Sequence, residues 1–422
     1  MEILVVGGGG REHAIVWKLA QSSQVKKIYC VPGNAGTATL AENISISSED
    51  INSLLSLAQE KKIDLTVVGP EAPLAAGIVD VFTSKGLSCF GPLREAARLE
   101  SSKAFAKEIM KKYKIPTAEG QIFTEIETAI SYLKEMGSPV VVKADGLAGG
   151  KGVVVARVIE EANSALHSIM VKKVFGNAGV RVVIEECLEG EEVSIMAFTD
   201  GYTIIPMISA QDHKRVFDND EGPNTGGMGA YSPAPVFTEE LSERVKSEIL
   251  SPVISGLRQE GIIYKGVLYV GLMITKEGPK VLEFNARFGD PECQVVLPAL
   301  KNDLVEVIQA VLDGSLHKQE LQWLEGLTAC VIMASDGYPG DFKKGFSIYG
   351  LDVVEKMEDI FVFHAGTTIK EERVTTTGGR VLGITARGET LKSALDKAYL
   401  AVKNISFEGA HYRTDIGWRA LK

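Results

Sequence analysis

No apolar run in the 422-residue chain approaches the roughly 18 residues of a helical membrane span, and Met1-Glu2-Ile3-Leu4-Val5-Val6 carries no basic segment of the signal-peptide kind. Both absences lead us to expect a cytoplasmic protein. There is no block of basic residues either. The 45 Lys and Arg against 55 Asp and Glu leave a formal charge of −10, which argues against a broad nucleic-acid surface or an anionic-membrane footprint and leaves only local basic pockets open. The five cysteines (Cys30, Cys89, Cys187, Cys293 and Cys330) are scattered, odd in number and without metal-type spacing. Free thiols in a reducing compartment fit that pattern better than a disulfide frame or a zinc site. Solenoid-type repeats are absent. What the chain does have is glycine, 43 residues gathered into a few loops, as suits backbone that must approach a ligand closely. Hydrophobic residues at 45% and charged residues at 24% are ordinary for a folding chain. At about 150 residues per domain the length predicts two to four domains.

Short apolar runs at residues 3–6, 27–31, 65–68 and 87–90 alternate with amphipathic stretches such as 51–60 and 75–85. That alternation predicts an α/β domain, a doubly wound parallel sheet with crossover helices, whose strand ends carry the ligand. Beyond Pro92, helical patterns at 103–112 and 125–136 precede apolar runs at 140–143, 153–157, 181–186, 193–199, 267–275 and 280–285. An α+β domain of mainly antiparallel strands is expected there, closed by a helix near 303–313. From Leu327 onward, strands expected at 328–334, 348–354, 361–365 and 380–387 and a last helix at 391–405 make a small β-rich α+β domain. The expected divisions are residues 1–102, 103–325 and 326–422, with a flap-bearing subdomain at about 117–190.

The first glycine loop, Gly7-Gly8-Gly9-Gly10-Arg11-Glu12, follows a strand and opens a helix. As a dinucleotide fingerprint it fails, because the third glycine position is Glu12 or His13 and the second strand ends in Val31-Pro32 with no carboxylate for a ribose. The loop still suits an anion at a helix N-terminus, with Arg11 adding charge, so a phosphate ester is one reading and an unliganded tight turn the other. The second loop, Gly149-Gly150-Lys151-Gly152, is not a P-loop: Asp145 stands where the first glycine belongs, Gly152 replaces the Ser or Thr, and a strand follows. It reads as a hairpin flap that folds over phosphates, with Lys143 below it, although Lys143 alone equally suits an exposed strand charge.

The most informative constellation runs from Leu282 to Glu292. Period-two alternation places Glu283 and Asn285 on one face of a strand, two oxygen donors of the kind Mg²⁺ prefers. Arg287, two residues on, has the planar fork that holds a carboxylate or phosphate. A surface charge cluster is the plainer alternative, disfavoured by the apolar Val281, Leu282, Phe284 and Phe288 around it. Residues 211–233 lack apolar periodicity and are expected to form a long functional loop, in which Asp212 can hold an ammonium while Lys214 and Arg215 face a transferring phosphoryl group. His213 fits a structural role.

Six segments taken together, residues 7–12, 69–71, 143–152, 212–215, 224–233 and above all Arg287-Phe288-Gly289-Asp290-Pro291-Glu292-Cys293-Gln294, resemble the phosphoribosylamine–glycine ligase family of the ATP-grasp superfamily. The resemblance runs nearly end to end. It implies a central ATP-grasp domain and a reaction in which ATP, glycine and 5-phosphoribosylamine give glycinamide ribonucleotide, ADP and phosphate through glycyl phosphate, in purine biosynthesis. It further implies ATP held by Lys103, Lys143, residues 149–152, Glu185, Glu186, Leu188 and Glu192. Mg²⁺, replaceable by Mn²⁺, would sit on Glu283 and Asn285. Gly9, Gly10, Arg11, Glu12, Pro70, Glu71, Gly227 and Asp290 would face substrate, with Asp212, Lys214 and Arg287 both binding it and acting in catalysis. The partners implied are small molecules alone, on a monomer. The chain departs from many superfamily members at Val270-Gly271-Leu272-Met273, which lacks their acidic metal ligand, and it assigns no role to Gly378, Gly379 or Arg380. Another ATP-grasp carboxylate–amine ligase would keep the flap and metal strand but change residues 287–294 and 212–232. A non-catalytic nucleotide-binding regulator would lose Lys143, Glu283 or Asn285.

Overall fold

A computed structural model describes residues 1–421. The first sheet is wholly parallel, in spatial order Glu42–Asn43, Lys27–Pro32, Glu2–Gly7, Leu65–Val68, Cys89–Phe90. Its central strand is almost entirely buried, as a sheet covered on both faces by crossover helices must be. The amphipathic stretch expected as one helix at 75–85 is two, Glu71–Ala76 and Ile78–Ser84, because Gly77 sits between them at φ +92°. The left-handed conformation ends the first helix there.

Two antiparallel four-stranded sheets follow. One, in order Gly120–Phe123, Val182–Glu186, Val140–Ala144, Val153–Ala156, carries the flap and has its own apolar core around Leu133, Val142, Leu166 and Ile184. The other is built from Ile204–Pro206, Glu191–Thr199, Gly266–Thr275 and Gly278–Asn285 in that order. Its core is continuous with that of the first domain.

Three features of the remainder differ from the sequence reading. Residues 348–354 are not a strand: Gly350, at φ +86°, starts the short helix Leu351–Val354, and a Cβ there would collide with the carbonyl of Asn404. A hairpin, Thr367–Lys370 with Arg373–Thr376, lies where none was expected. Residues 211–233 are not one long loop. Gln211–Asp212 and Gly229–Ser232 pair with each other and join Leu327–Ser335, Arg380–Gly388 and Ile360–His364 in the C-terminal sheet, while Arg215–Phe217 and Glu221–Asn224 form a separate small hairpin. The C-terminal sheet therefore takes strands from both sides of residue 326. All five cysteines are free thiols. Among the described residues no helix is long and apolar enough to cross a membrane.

Candidate active site

The edge strand Gly278–Asn285 lies antiparallel to Gly266–Thr275, with Gly271 opposite Glu283 and Leu272 opposite Val281. Leu282 is thus the extra residue of a bulge, which re-aims the backbone. Its carbonyl accepts a hydrogen bond from Lys143 Nζ at 3.0 Å. After the bulge, Glu283 and Asn285 stand half-exposed on either side of buried Phe284. Gly271 explains the missing acidic residue, since even a Cβ there would lie 3.3 Å from Glu283 Cγ. The Glu283 carboxylate has no hydrogen bond or ion pair among the described residues, and Asn285 Oδ1 accepts from Arg287 Nη2 at 3.3 Å. One unclaimed carboxylate beside an amide oxygen fits Mg²⁺ bound through few protein ligands. No group of three or more His, Cys, Asp or Glu that could hold a metal occurs among the described residues, so a metal on this pair would draw its other ligands from water and phosphates.

Lys143 reaches from the flap sheet to this strand and also pairs with Glu185 at 2.5 Å. The other Glu185 oxygen meets Lys107 at 2.6 Å, and Lys107 also donates to the Ala118 carbonyl at 2.8 Å. All three side chains are buried. Burial works against the Glu185 carboxylate, but Lys143 and Lys107 together hold its pKa below the usual range. Lys107 escaped the sequence reading; its only signal is its place one helical turn after Lys103. Lys103 opens the helix Lys103–Lys112, where Ser102 caps the amide of Phe105. Its pKa is lowered by burial, with Glu283 opposing.

Asp145 anchors the root of the flap. Its side chain accepts from Ser102 Oγ at 2.9 Å and from the Ala104 amide at 2.8 Å, and pairs with Arg181 at 2.7 Å. Beyond that root, Gly149 and Gly150 take φ of +56° and +77°, with nothing within 4 Å of where a Cβ would be. Gly149, Gly150 and Lys151 are exposed.

Arg287, two residues past the strand Gly278–Asn285, joins it to the first domain, pairing with Glu71 at 3.3 Å and Glu100 at 2.9 Å. Burial opposes its charge, yet Glu100 and Glu71 raise its pKa. Glu71, which follows Pro70 at a helix start, also faces Arg11 at 4.0 Å. Arg11 pairs with Glu12 at 2.6 Å, and Glu12 reaches back to the Gly9 amide, also at 2.6 Å. Glu12 thus turns back on the amide that precedes the first helix, the half of a capping box that a glycine at the N-cap allows. Glycine at 7 and 69 leaves room for this side chain, since a Cβ at either would clash with Glu12.

At the opposite wall Lys214 pairs with Glu192 at 2.5 Å, and Lys214 holds the Glu192 pKa down. Asp212 is buried beside them, and burial pushes its pKa up to about 7 against the pull of Lys214. His213 is fully buried and neutral, its pKa lowered to about 3 by burial and by Arg413. Arg380, left without a role by the sequence, reaches in from the C-terminal sheet to pair with Asp290 at 3.0 Å, and it also donates to the Asp290 and Gly226 carbonyls. Tyr338 OH accepts from the Gly226 amide at 3.0 Å. Gly227, at φ +106°, lies against Pro291, where a Cβ would clash at 2.4 Å. Leu188 is half-buried just past the strand Val182–Glu186.

A flap sheet facing a second antiparallel sheet, with a lysine bridging the two, defines an ATP-grasp enzyme: residues 101–293 match the model described as phosphoribosylglycinamide synthetase, ATP-grasp (A) domain. Residues 1–100 match the N domain of the same synthetase and residues 328–419 its C domain. The chain belongs to the phosphoribosylglycinamide synthetase family. It is 54% identical to phosphoribosylamine–glycine ligase of Caldanaerobacter subterraneus over 99% of both chains. It is 55% identical to the human trifunctional purine biosynthetic protein adenosine-3, covering 99% of this chain and 42% of that one. The crystal structure of phosphoribosylamine–glycine ligase from Thermotoga maritima superposes with a TM-score of 0.84 at 33% identity, over 98% of this chain and all of that one. A biotin carboxylase domain of Hydrogenobacter thermophilus 2-oxoglutarate carboxylase shares the fold, with a TM-score of 0.75 at 19% identity over 97% of this chain and 91% of that one.

Proposed function

We propose that this protein joins glycine to 5-phosphoribosylamine with hydrolysis of ATP to ADP and phosphate, giving glycinamide ribonucleotide for purine biosynthesis. The observation that carries the reading is Arg287, which links the metal strand to Glu71 and Glu100, so the acid to be activated and the amine that attacks it meet at one guanidinium. A glycine carboxylate oxygen attacks the γ-phosphorus of ATP, the bond to ADP breaks, and glycyl phosphate forms. The amine of phosphoribosylamine then attacks the carbonyl carbon, phosphate leaves, and the amine gives up a proton. Positioning and charge neutralisation carry such a reaction.

In this reading Lys103, Lys143 and residues 149–152 enclose the ATP phosphates. The backbone of Glu185, Glu186 and Leu188 reads the adenine, and Glu192 takes the ribose hydroxyls, releasing Lys214 toward the transferred phosphoryl group. Glu283 and Asn285 hold Mg²⁺, or Mn²⁺ in its place, which neutralises phosphate charge. Asp212 receives the glycine ammonium and Arg287 its carboxylate. Gly9, Gly10, Arg11, Glu12, Pro70, Glu71, Gly227 and Asp290 surround the acceptor. The functional divisions are 1–102 for the acceptor, 103–325 for ATP with the flap at about 117–190, and 326–422 as the C-terminal domain. We take the chain to act as a monomer, and the small-molecule chemistry suits the cytoplasm.

Phosphate release with each substrate omitted in turn tests the reading. Release should require ATP, glycine and phosphoribosylamine together. Equal release with another acid or amine would assign the site to a different carboxylate–amine ligase.

A further inference from the structure

The hairpin of Arg215–Phe217 and Glu221–Asn224 is too short to hold itself, and of its first strand only Val216 is buried. Its turn places two non-glycine residues in the left-handed region, Asn219 at φ +59° and Asp220 at φ +56°. Such backbone persists only where the surroundings over-determine it. The support comes from residues 411–419, about two hundred positions along the chain. Arg413 has no exposed surface. Its fork grips Asp415 at 2.7 and 2.8 Å, and its remaining nitrogen donates to Asp220 at 2.8 Å and to the Arg215 carbonyl at 3.2 Å. Asp415 in turn accepts from the Asn219 amide at 2.8 Å, and Arg419 holds the second Asp220 oxygen at 2.6 Å.

The hairpin grows out of Asp212-His213-Lys214, and the same tail reaches that root: the Gly417 amide donates to His213 Nε2 at 3.2 Å. Thr225, at the hairpin's other end, ties down the Lys214 carbonyl through its amide at 2.7 Å and its hydroxyl at 2.8 Å. We propose that Arg413 is a positioning residue for the ligation: by clamping the turn at Asp220 it holds the hairpin so that Asp212 and Lys214 face the site. The inference rests on the ligase reading for what those two residues do. Arg413 touches no substrate in it. The hairpin side of the clamp packs only in a small cluster of Val216, Met228 and Ala334, whereas Ile416 of the tail is seated in the C-terminal core, so loosening the ion pairs frees the hairpin while the tail keeps its apolar anchor.

Full-length Arg413→Ala, Arg413→Lys and Arg419→Gln, measured beside the wild type, test the clamp. Wild-type phosphate release that needs all three substrates checks the ligase reading separately. Misplacement of a reacting group by about 1 Å can cost roughly a hundredfold in rate, so Arg413→Ala should lower kcat on that order and raise the glycine KM. The ATP KM should change less than the glycine KM, since Lys103, Lys143 and residues 149–152, which carry most of the proposed phosphate contacts, belong to other elements while Lys214 alone moves with the hairpin. Amide exchange should speed up at residues 213–224 and not in the sheets, and Arg413→Lys should recover part of kcat. Unchanged kcat in Arg413→Ala, or a loss of ATP binding in step with kcat, overturns the proposal. Should Arg413→Ala fail to fold, Arg419→Gln, which removes one contact to Asp220, should still lower kcat about tenfold at an unchanged melting temperature. Wild-type kcat in that variant overturns the proposal equally.

Discussion

Asp212 shows how burial sets the working state of one side chain. Its carboxyl titrates near 7 because burial disfavours the ion, Lys214 opposes that, and Glu292, Glu192 and Glu283 reinforce it. Below that pH the group is neutral and cannot pair with an ammonium; above it the carboxylate is available. The kcat/KM for glycine should therefore rise with pH through an apparent pKa near 7. The kcat profile should break at lower pH, because a bound ammonium favours the carboxylate. Asp212→Asn should lose activity and the rising limb together, and an unshifted limb in that variant would assign the titration to another group. Asp212, Lys214, Arg287 and Glu283 were readable as residue types in sequence. Glu100, Lys107 and Arg380 were not, because each matters only through a partner far along the chain, such as Lys107 with Glu185.

At the scale of elements, the flap combines a fixed root with a loose tip. Asp145 joins the root to the helix Lys103–Lys112, whereas Gly149 and Gly150 have open space around them. Few contacts hold such a tip, so its opening should cost little. Amide exchange at residues 146–152 should slow on adding a non-hydrolysable ATP analogue, while the amides of residues 140–144 change little. Equal exchange with and without the analogue would make the hairpin a rigid structural element. Glycine density was enough to locate this flap in the sequence. The hairpin at 215–224 was invisible by the same method, since its pairing is stabilised by ion pairs to residues 413–419 rather than by an apolar face with period two.

Across the whole molecule, the first and C-terminal domains meet through histidines. His13 Nδ1 accepts from the His364 amide at 2.8 Å, and Asn34 donates to the His364 carbonyl at 2.7 Å. Burial lowers the pKa of His13 to about 3, with His364 adding to the effect, and lowers that of His364 to about 4. The folded values lie below the unfolded value, so the unfolded chain binds more protons as pH falls. Stability is complete above about pH 6.5 and declines from there toward pH 4 and 3, by about 2 kcal/mol per histidine at pH 5. The melting temperature should fall between pH 7 and 5, and fall less in His364→Gln. Identical pH dependence in the two proteins would remove the histidines from that account.

Element type followed from sequence wherever one local signal sufficed: the buried strand Glu2–Gly7, the helix Lys103–Lys112, and the alternation that sets Glu283 and Asn285 on one face. These depend on backbone geometry and neighbours a few residues away. The tertiary structure decided which groups meet: Glu12 turned back on the Gly9 amide, Arg380 brought to Asp290, and a sheet shared between residues 211–232 and 327–388. Ion pairing and strand pairing act through space and leave no period in the chain, so only the folded arrangement could select them.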